Sequence, residues 1–548
     1  MTYLAIANKA GYGPGIWVVK DDAVNYLTTP YTSFGSFLFN SENQNISYVK
    51  EPWKRTLNAA SVTADGYNDY IGNNMGGTAT TCTRSIFRTT TSGTLRQYTP
   101  YAFPQTLFAG DAFIPMAEAR LRDTVTGRIS AANRVRNWVV NEQTNQHGVM
   151  TAYQFPNVLM QMTNFSGSGL WRGRMDPRFS GRPNAWVVKY GNGLNGSDAG
   201  NPSVVSEGTF SGNTFNAKEM VTVWWDLPAN NAAIPKPSQP VVSGQEVLRL
   251  NSSGLVLARP GYTVDESYGR QRIIDSTRNP PLCIMAGETA SIAVGGNAFV
   301  AAPPGISLSN DCVVEIMARV TGATQYVPAL IISGYTPDFD VALTYSVASN
   351  GVTFYNDGQS ALTVRYIVFG VDFRSPSTGG NQVMRRANDG VQDYIQIKNP
   401  GTSDTAPLPN DILIDTRFPM LQIAQEGFIQ MAEFTEASDN AELGSACKTI
   451  SFANAGFRPF LKYAVNFTGC ILPPMFAQIY HYPEGSGAFN HRPTNQSAIA
   501  QVTDTSVKFY LAPGNPSDMT SSGGGAWSLN DTYPDPIGIR YYVFAIPL

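Results

Sequence analysis

Three stretches of this chain read almost alike: an alternating strand that runs directly into an Asn/Gly turn. The first is Tyr3-Leu4-Ala5-Ile6-Ala7-Asn8-Lys9-Ala10-Gly11, the second Val247-Leu248-Arg249-Leu250-Asn251-Ser252-Ser253-Gly254, and the third Tyr394-Ile395-Gln396-Ile397-Lys398-Asn399-Pro400-Gly401. A second phrase follows at a similar distance. It is Ile273-Ile274-Asp275-Ser276-Thr277-Arg278-Asn279-Pro280 in the middle stretch and Ile412-Leu413-Ile414-Asp415-Thr416-Arg417-Phe418-Pro419 in the last, with Ile16-Trp17-Val18-Val19-Lys20-Asp21 as a looser match in the first. Endings also recur: Arg365-Tyr366-Ile367-Val368-Phe369 resembles Arg540-Tyr541-Tyr542-Val543-Phe544, and Val221-Thr222-Val223-Trp224-Trp225 is a weaker third. A period-2 run closed by a turn is a strand, so each phrase reads as a hairpin followed by a third strand. Repeated units that cannot bury a face alone must bury it against one another.

The expected fold is therefore all-β, with several antiparallel β-sandwich-like domains. They fall at 1–235, 245–375 and 390–548, the two C-terminal ones related by internal duplication. Pro235, Pro237 and Pro240 mark one linker, and 375–389, with Pro376, Gly379 and Gly380, a flexible one. The longer N-terminal domain carries an insertion between about 80 and 200, including the one helix expected, Pro115 to Trp138. Pro115 suits its first position, Glu118 and Arg122 an i,i+4 pair, and Gly127 its break. Composition agrees: 50 Gly and 36 Pro are turn formers, and only 14% of residues are charged, against a usual share of about 25%. A net charge of −3 gives no electrostatic reason to expect nucleic-acid binding. Five widely spaced cysteines show no metal-ligand spacing and read as buried thiols of a reducing compartment. Neither a signal peptide nor an apolar run of membrane-spanning length is expected.

The openings and the later Ile-Asp-Ser/Thr-x-Arg-x-Pro phrase resemble small β domains in tail-tip, baseplate and tail-fibre proteins of tailed bacteriophages. That resemblance covers the two C-terminal repeats and the start of the first domain. It implies a non-enzymatic virion component, assembled in the host cytoplasm with other tail proteins. It also implies a homotrimer and contact with a host surface glycan or outer-membrane receptor. No catalytic residues of such a family map onto this chain.

Candidate contact residues come from two loops. Trp171, Arg172, Arg174, Arg178 and Arg182 stand with Phe179 in a Gly/Pro-rich stretch, where planar guanidinium groups suit phosphate, carboxylate or a subunit's acidic side chains. Tyr480, His481, Tyr482, Phe489, His491 and Arg492 flank a Pro/Gly loop and have the character of interface hot spots. With Glu484, His481 and His491 are residue types that a metal takes, but their spacing fixes no ligand geometry, so neither metal nor cofactor is assigned. Gly191-Asn192-Gly193-Leu194-Asn195-Gly196 fits a dinucleotide fingerprint without the helix it needs. Glu433, Glu436, Asp439 and Glu442 read as an acidic loop or short helix face unless two of them meet as a glycosidase pair. The leading expectation is a structural tail protein. The rivals are a polysaccharide-degrading tailspike and a capsid or decoration protein without receptor contact.

Overall fold

A computed structural model describes residues 2–43, 48–56, 68–75, 81–89, 95–99, 105–106, 113–123, 126–130, 132–135, 148–156, 163–164, 171–172, 204–205, 217–228, 246–265, 271–276, 282–328, 343–356, 360–370, 374–439, 446–454, 456–467, 470–472, 476–481, 490–494, 498–511, 518–521, 527–530 and 536–547. These residues form an all-β protein of small antiparallel sheets, with short 3-10 turns as its only helical elements among the described residues.

Three sheets are three-stranded meanders: Tyr3–Lys9, Gly13–Val19 and Phe37–Asn40; Leu248–Asn251, Gly254–Ala258 and Arg272–Asp275; Met384–Asn388, Asp393–Lys398 and Ile412–Asp415. Hairpin lengths differ, but the pairing around the third strand coincides. Leu4, Val18 and Phe39 line up across the first, Leu248, Leu257 and Ile274 across the second, and Met384, Ile397 and Ile414 across the third. Each has a bulge at the next step, which leaves Leu38, Ile273 and Leu413 without a ladder partner. A bulge re-aims the strand beyond it. Here it precedes the departure of the chain toward a larger sheet.

These registers correct two expectations. Tyr394 belongs to the middle strand of its meander, whereas Tyr3 begins a first strand and Val247 directly precedes one; the true third strand of the first meander is Phe37–Asn40. The stretch 375–389 is not all linker, because it ends in the strand Met384–Asn388, where Arg385 Nε donates to Gln396 Oε1 across the ladder at 2.7 Å.

Behind each meander lies a four-stranded order in which the last strand of the region sits between the first and a middle one. The second region runs Cys283–Glu288, Leu362–Phe369, Val314–Val320, Val327–Pro328. In the third it is Gln422–Gln430, Pro536–Pro547, Phe457–Phe467, Cys470–Leu472. In the first, Tyr48–Thr56, Ala217–Pro228, Phe113–Asp123 and Ile129–Ser130 follow the same order. The second and third again agree in register. Gly287 faces Tyr366 as Gly427 faces Tyr541, and a bulge follows Cys283 as another follows Ile423. Both glycines are obligatory, since a Cβ on Gly287 would stand 2.6 Å from Tyr366 Oη and one on Gly427 2.5 Å from Tyr541 Oη. Phe354 packs on Tyr366 and Phe509 on Tyr541, with ring centroids 5.2 and 5.6 Å apart.

The helix expected from Pro115 to Trp138 is absent: Phe113–Asp123, Ile129–Ser130 and Ala132–Val135 are strands. Phe113–Asp123 is paired along both edges, so ladder bonds outweigh helix propensity. Arg122 pairs with Asp311 of the second region at 2.7 Å, and the extended backbone removes the helical i,i+4 spacing expected between positions 118 and 122.

The regions interlock. Ile129 pairs with Tyr345 and Ser130 with Thr344, giving one seven-stranded sheet with strands from 48–228 and 297–356. Tyr326 bridges Val502 by two backbone bonds of 2.8 and 2.7 Å. At the centre, Met420 N–H donates to Leu38 O and Cys283 N–H to Pro419 O. One continuous core takes Ile16, Val18 and Phe39, Leu257 and Ile274, and Ile397 and Ile414 from the three meanders. Each meander thus buries a face that its own three strands cannot cover.

Candidate functional site

Pairing between distant segments positions the two sequence-predicted contact loops. Trp171 and Arg172 form a two-residue strand against Thr163 and Asn164; Arg174, Arg178 and Arg182 lie outside the described residues. The hairpin Phe476–His481 and Asn490–Thr494 sets Tyr480 opposite His491, His481 opposite Asn490 and Ile479 opposite Arg492; Tyr482, Glu484 and Phe489 also lie outside. His481 and His491 are therefore not cross-strand partners of one another. Phe476–His481 also pairs with Gly148–Pro156, the strand from which the Arg-bearing connection departs. Trp171–Arg172 itself belongs to a separate two-stranded sheet. Gly191 to Gly196, His147 and Glu442 lie outside the described residues.

The other three acidic residues do not converge as a pair. Glu433 Oε1 accepts the Gln430 N–H at 2.9 Å, closing a short turn. Glu436 accepts both the N–H and the hydroxyl of Thr449, at 2.8 and 2.6 Å. Asp439 accepts from Lys508 and from the Tyr510 hydroxyl, both at 2.7 Å, and the Lys508 bond holds its carboxyl below the ordinary value. The bonds of Glu436 and Asp439 tie neighbouring strands together.

A charged site that sequence reasoning missed is the seam between the second and third regions. Glu315 and Lys462 pair there at 3.1 Å with side chains only 3% and 4% exposed. By register they are equivalent positions, for Glu315 stands opposite Ile367 and Lys462 opposite Tyr542, one step before the matched valines Val368 and Val543. Arg365 lies beside them. It holds Glu288 at 2.7 Å and Asp504 at 3.1 Å, donates to Pro459 O at 3.0 Å and covers the Tyr326 ring at 3.9 Å. Burial opposes the charge of Glu288, yet Arg365 outweighs it and holds the carboxyl below its usual range. Burial, reinforced by the neighbouring Glu288 carboxylate, pushes the Tyr326 phenol up to about 12. The equivalent Arg540 pairs with Glu426 at 2.5 Å.

A second cluster fastens the third meander. Arg417 reaches Asp415 at 2.8 Å and Asp389 at 3.2 Å, and its guanidinium stacks 3.5 Å from the Tyr394 ring centroid. The buried Lys398 pairs with Asp404 at 3.0 Å and donates to Thr402 O at 2.6 Å. Buried charges persist only when paired, and here the pairs span strands or regions. The chemistry is that of fastening: cations neutralise carboxylates in place. No protein-family model, curated protein or solved structure matches this chain.

Proposed function

We propose that the chain is a structural, non-enzymatic component of a bacteriophage tail, in the tail tip, baseplate or fibre, that contributes to assembly and host attachment. The observation that carries this reading is one meander register repeated three times and joined in a single core, with buried ion pairs between regions. Such a design fixes shape. Paired carboxylates and cations hold subunits of a particle rigid, and a surface poor in charge is readily buried against neighbours. The tail assignment comes from the likeness of the repeated phrases to tail-protein domains. Common descent of the repeats by duplication accounts for the equal registers and bulges. Attachment falls to two segments, the Arg-bearing stretch from Trp171 to Arg182 and the Tyr480–Arg492 hairpin. Many weak contacts, multiplied over copies in one particle, add up to useful avidity.

The test is imaging of phage particles with a gold-labelled antibody to this chain. Label at the tail end is expected. Label on capsids alone, or shortening of host polysaccharide by the purified chain, overturns the reading. Replacing Arg172, Arg174 and Arg178 by Ala separates roles: lost adsorption with normal particles marks receptor contact, and failed assembly marks subunit contact.

A further inference from the structure

We infer that the strand Asn297–Ala301 is a self-pairing edge through which two copies of this chain join in an antiparallel, two-fold contact centred on Phe299. It is the terminal strand of the seven-stranded sheet and pairs on one side with Gly351–Asn356; among the described residues its other side has no strand partner. Backbone parity identifies the groups it offers. Ala302 N–H bonds inward to Asn350 O at 2.8 Å, and so the inward residues are Ala298 and Val300. Asn297, Phe299 and Ala301 therefore turn N–H and C=O outward.

The edge lacks the usual protection. Natural edge strands carry Lys, Pro, a bulge or a covering segment. From Ala293 to Ala302 there is no charged residue, and Phe299 and Val294 are each 52% exposed. The corresponding strand of the third region shows what covers such an edge. Ala446–Ser451 pairs with Ser506–Leu511 as Asn297–Ala301 pairs with Gly351–Asn356, which makes Thr449 the counterpart of Phe299. There Glu436–Ala437 adds a strand, and Glu436 accepts the Thr449 N–H. Among its described residues the second region supplies no such segment.

Self-complementarity selects a second copy as the occupant. Set antiparallel against itself about Phe299, the strand matches Asn297 with Ala301 at both ends, with no like charges opposed. Every outward N–H then meets an outward C=O. A two-fold axis gives closed, isologous pairing, not an open fibre. The contact is short, so association of free chains is weak and is strengthened where copies are arrayed. This inference stands apart from the tail assignment, which is tested by where antibody labels the particle.

The test is sedimentation equilibrium of the full chain from micromolar to sub-millimolar concentration, with two variants. Wild type should move from chain mass to twice that mass. Ala301→Pro removes an outward donor and no inward one, so circular dichroism and the unfolding midpoint stay unchanged while dimer formation is lost. Phe299→Cys places two thiols at a hydrogen-bonded cross-strand pair, with Cα atoms about 5.5 Å apart, within disulfide reach. Mild oxidation should then yield a covalent dimer. Chain mass at every concentration, a limiting mass other than twice the chain, or a dimer untouched by Ala301→Pro overturns the inference. So does failure of Phe299→Cys to cross-link.

Discussion

Replacing Lys462 by Met tests the seam between the second and third regions. The Lys462–Glu315 pair is 3.1 Å apart and almost wholly buried. At an effective dielectric of about 20, Coulomb attraction at that distance is about 5 kcal/mol. Removing one partner of a buried pair typically costs about 3–5 kcal/mol, because the remaining charge stays in a poorly solvating environment. Lys462→Met should therefore lower the urea midpoint of the transition that includes this seam by the equivalent of about 3–5 kcal/mol. Glu315→Leu combined with Lys462→Met should return near wild type or exceed it by about 1–4 kcal/mol, since an apolar pair has no desolvation cost. Because the two positions are equivalent by register, the swap Glu315→Lys with Lys462→Glu should recover most of what either single reversal loses. A cost below about 1 kcal/mol for Lys462→Met, or a swap no better than the sum of its singles, refutes the reasoning.

Other sites give sharper contrasts. Gly287→Ala and Gly427→Ala should each destabilise by about 1–3 kcal/mol through overpacking against a tyrosine, read as a lowered thermal midpoint. Tyr366→Phe should relieve the first, where only the hydroxyl lies within 3.0 Å, but Tyr541→Phe should not relieve the second, where ring carbons stand at 2.6 Å. Backbone N–H groups of Asn381 and Gln382, with Lys398, hold the Asp404 carboxyl down to about 2. A lowered folded value means the stabilisation is full above about 4 and fades as pH falls through about 2. Amide exchange at Asn381 and Gln382 should accelerate over that window, and Asp404→Asn should flatten the response. Burial pushes the Cys283 thiol up, so native chain should resist iodoacetamide at this residue until unfolded, as mass spectrometry of its peptide can show.

How much was legible depended on where the signal lay. Arg365 to Phe369 and Arg540 to Phe544 could be matched by eye because a strand with neighbours on both sides reads as an unbroken β-branched and aromatic run. The Asp-bearing third strands of the second and third meanders pair on one side only, yet were legible because their buried Ile and Leu residues form a short apolar run ending in Asp. Phe37–Asn40 escaped because Asn40 stands where the others have Asp275 and Asp415. Met384–Asn388 escaped because an edge strand with Arg385 and Arg386 resembles a polar linker. Phe113–Asp123 misled because Glu118 and Arg122 have helical spacing, and only the strands on either side make it extended. Of the contact residues, the turn between Tyr480 and Arg492 could be read locally. Its alliance with Gly148–Pro156 could not, because cross-strand partners are a property of the folded chain. The Glu315–Lys462 pair was hidden for the same reason.

That pair also bears on why the three meander regions share one chain. Identical subunits around an axis present the same residue at each equivalent position, so a contact between two such positions opposes like with like. Glu315 and Lys462 are equivalent yet opposite in charge. Equivalent positions across the meanders differ as freely: Ala5, Arg249 and Arg385, or Trp17, Val256 and Gln396. Trp17 Nε1 donates to Glu42 at 3.0 Å, whereas Gln396 donates to Asp415 at 2.6 Å. Covalent linkage lets each copy keep the shared register while its side chains adapt to one particular neighbour. It also holds each copy beside that neighbour as the chain folds, so a specific ion pair can replace a symmetric apolar contact without loss of order. The symmetric element that remains is the backbone register. If the seam were generic packing, exchanging the two charges would disrupt it. If the register alone fixes the geometry, the exchange is tolerated and only the direction of the pair reverses.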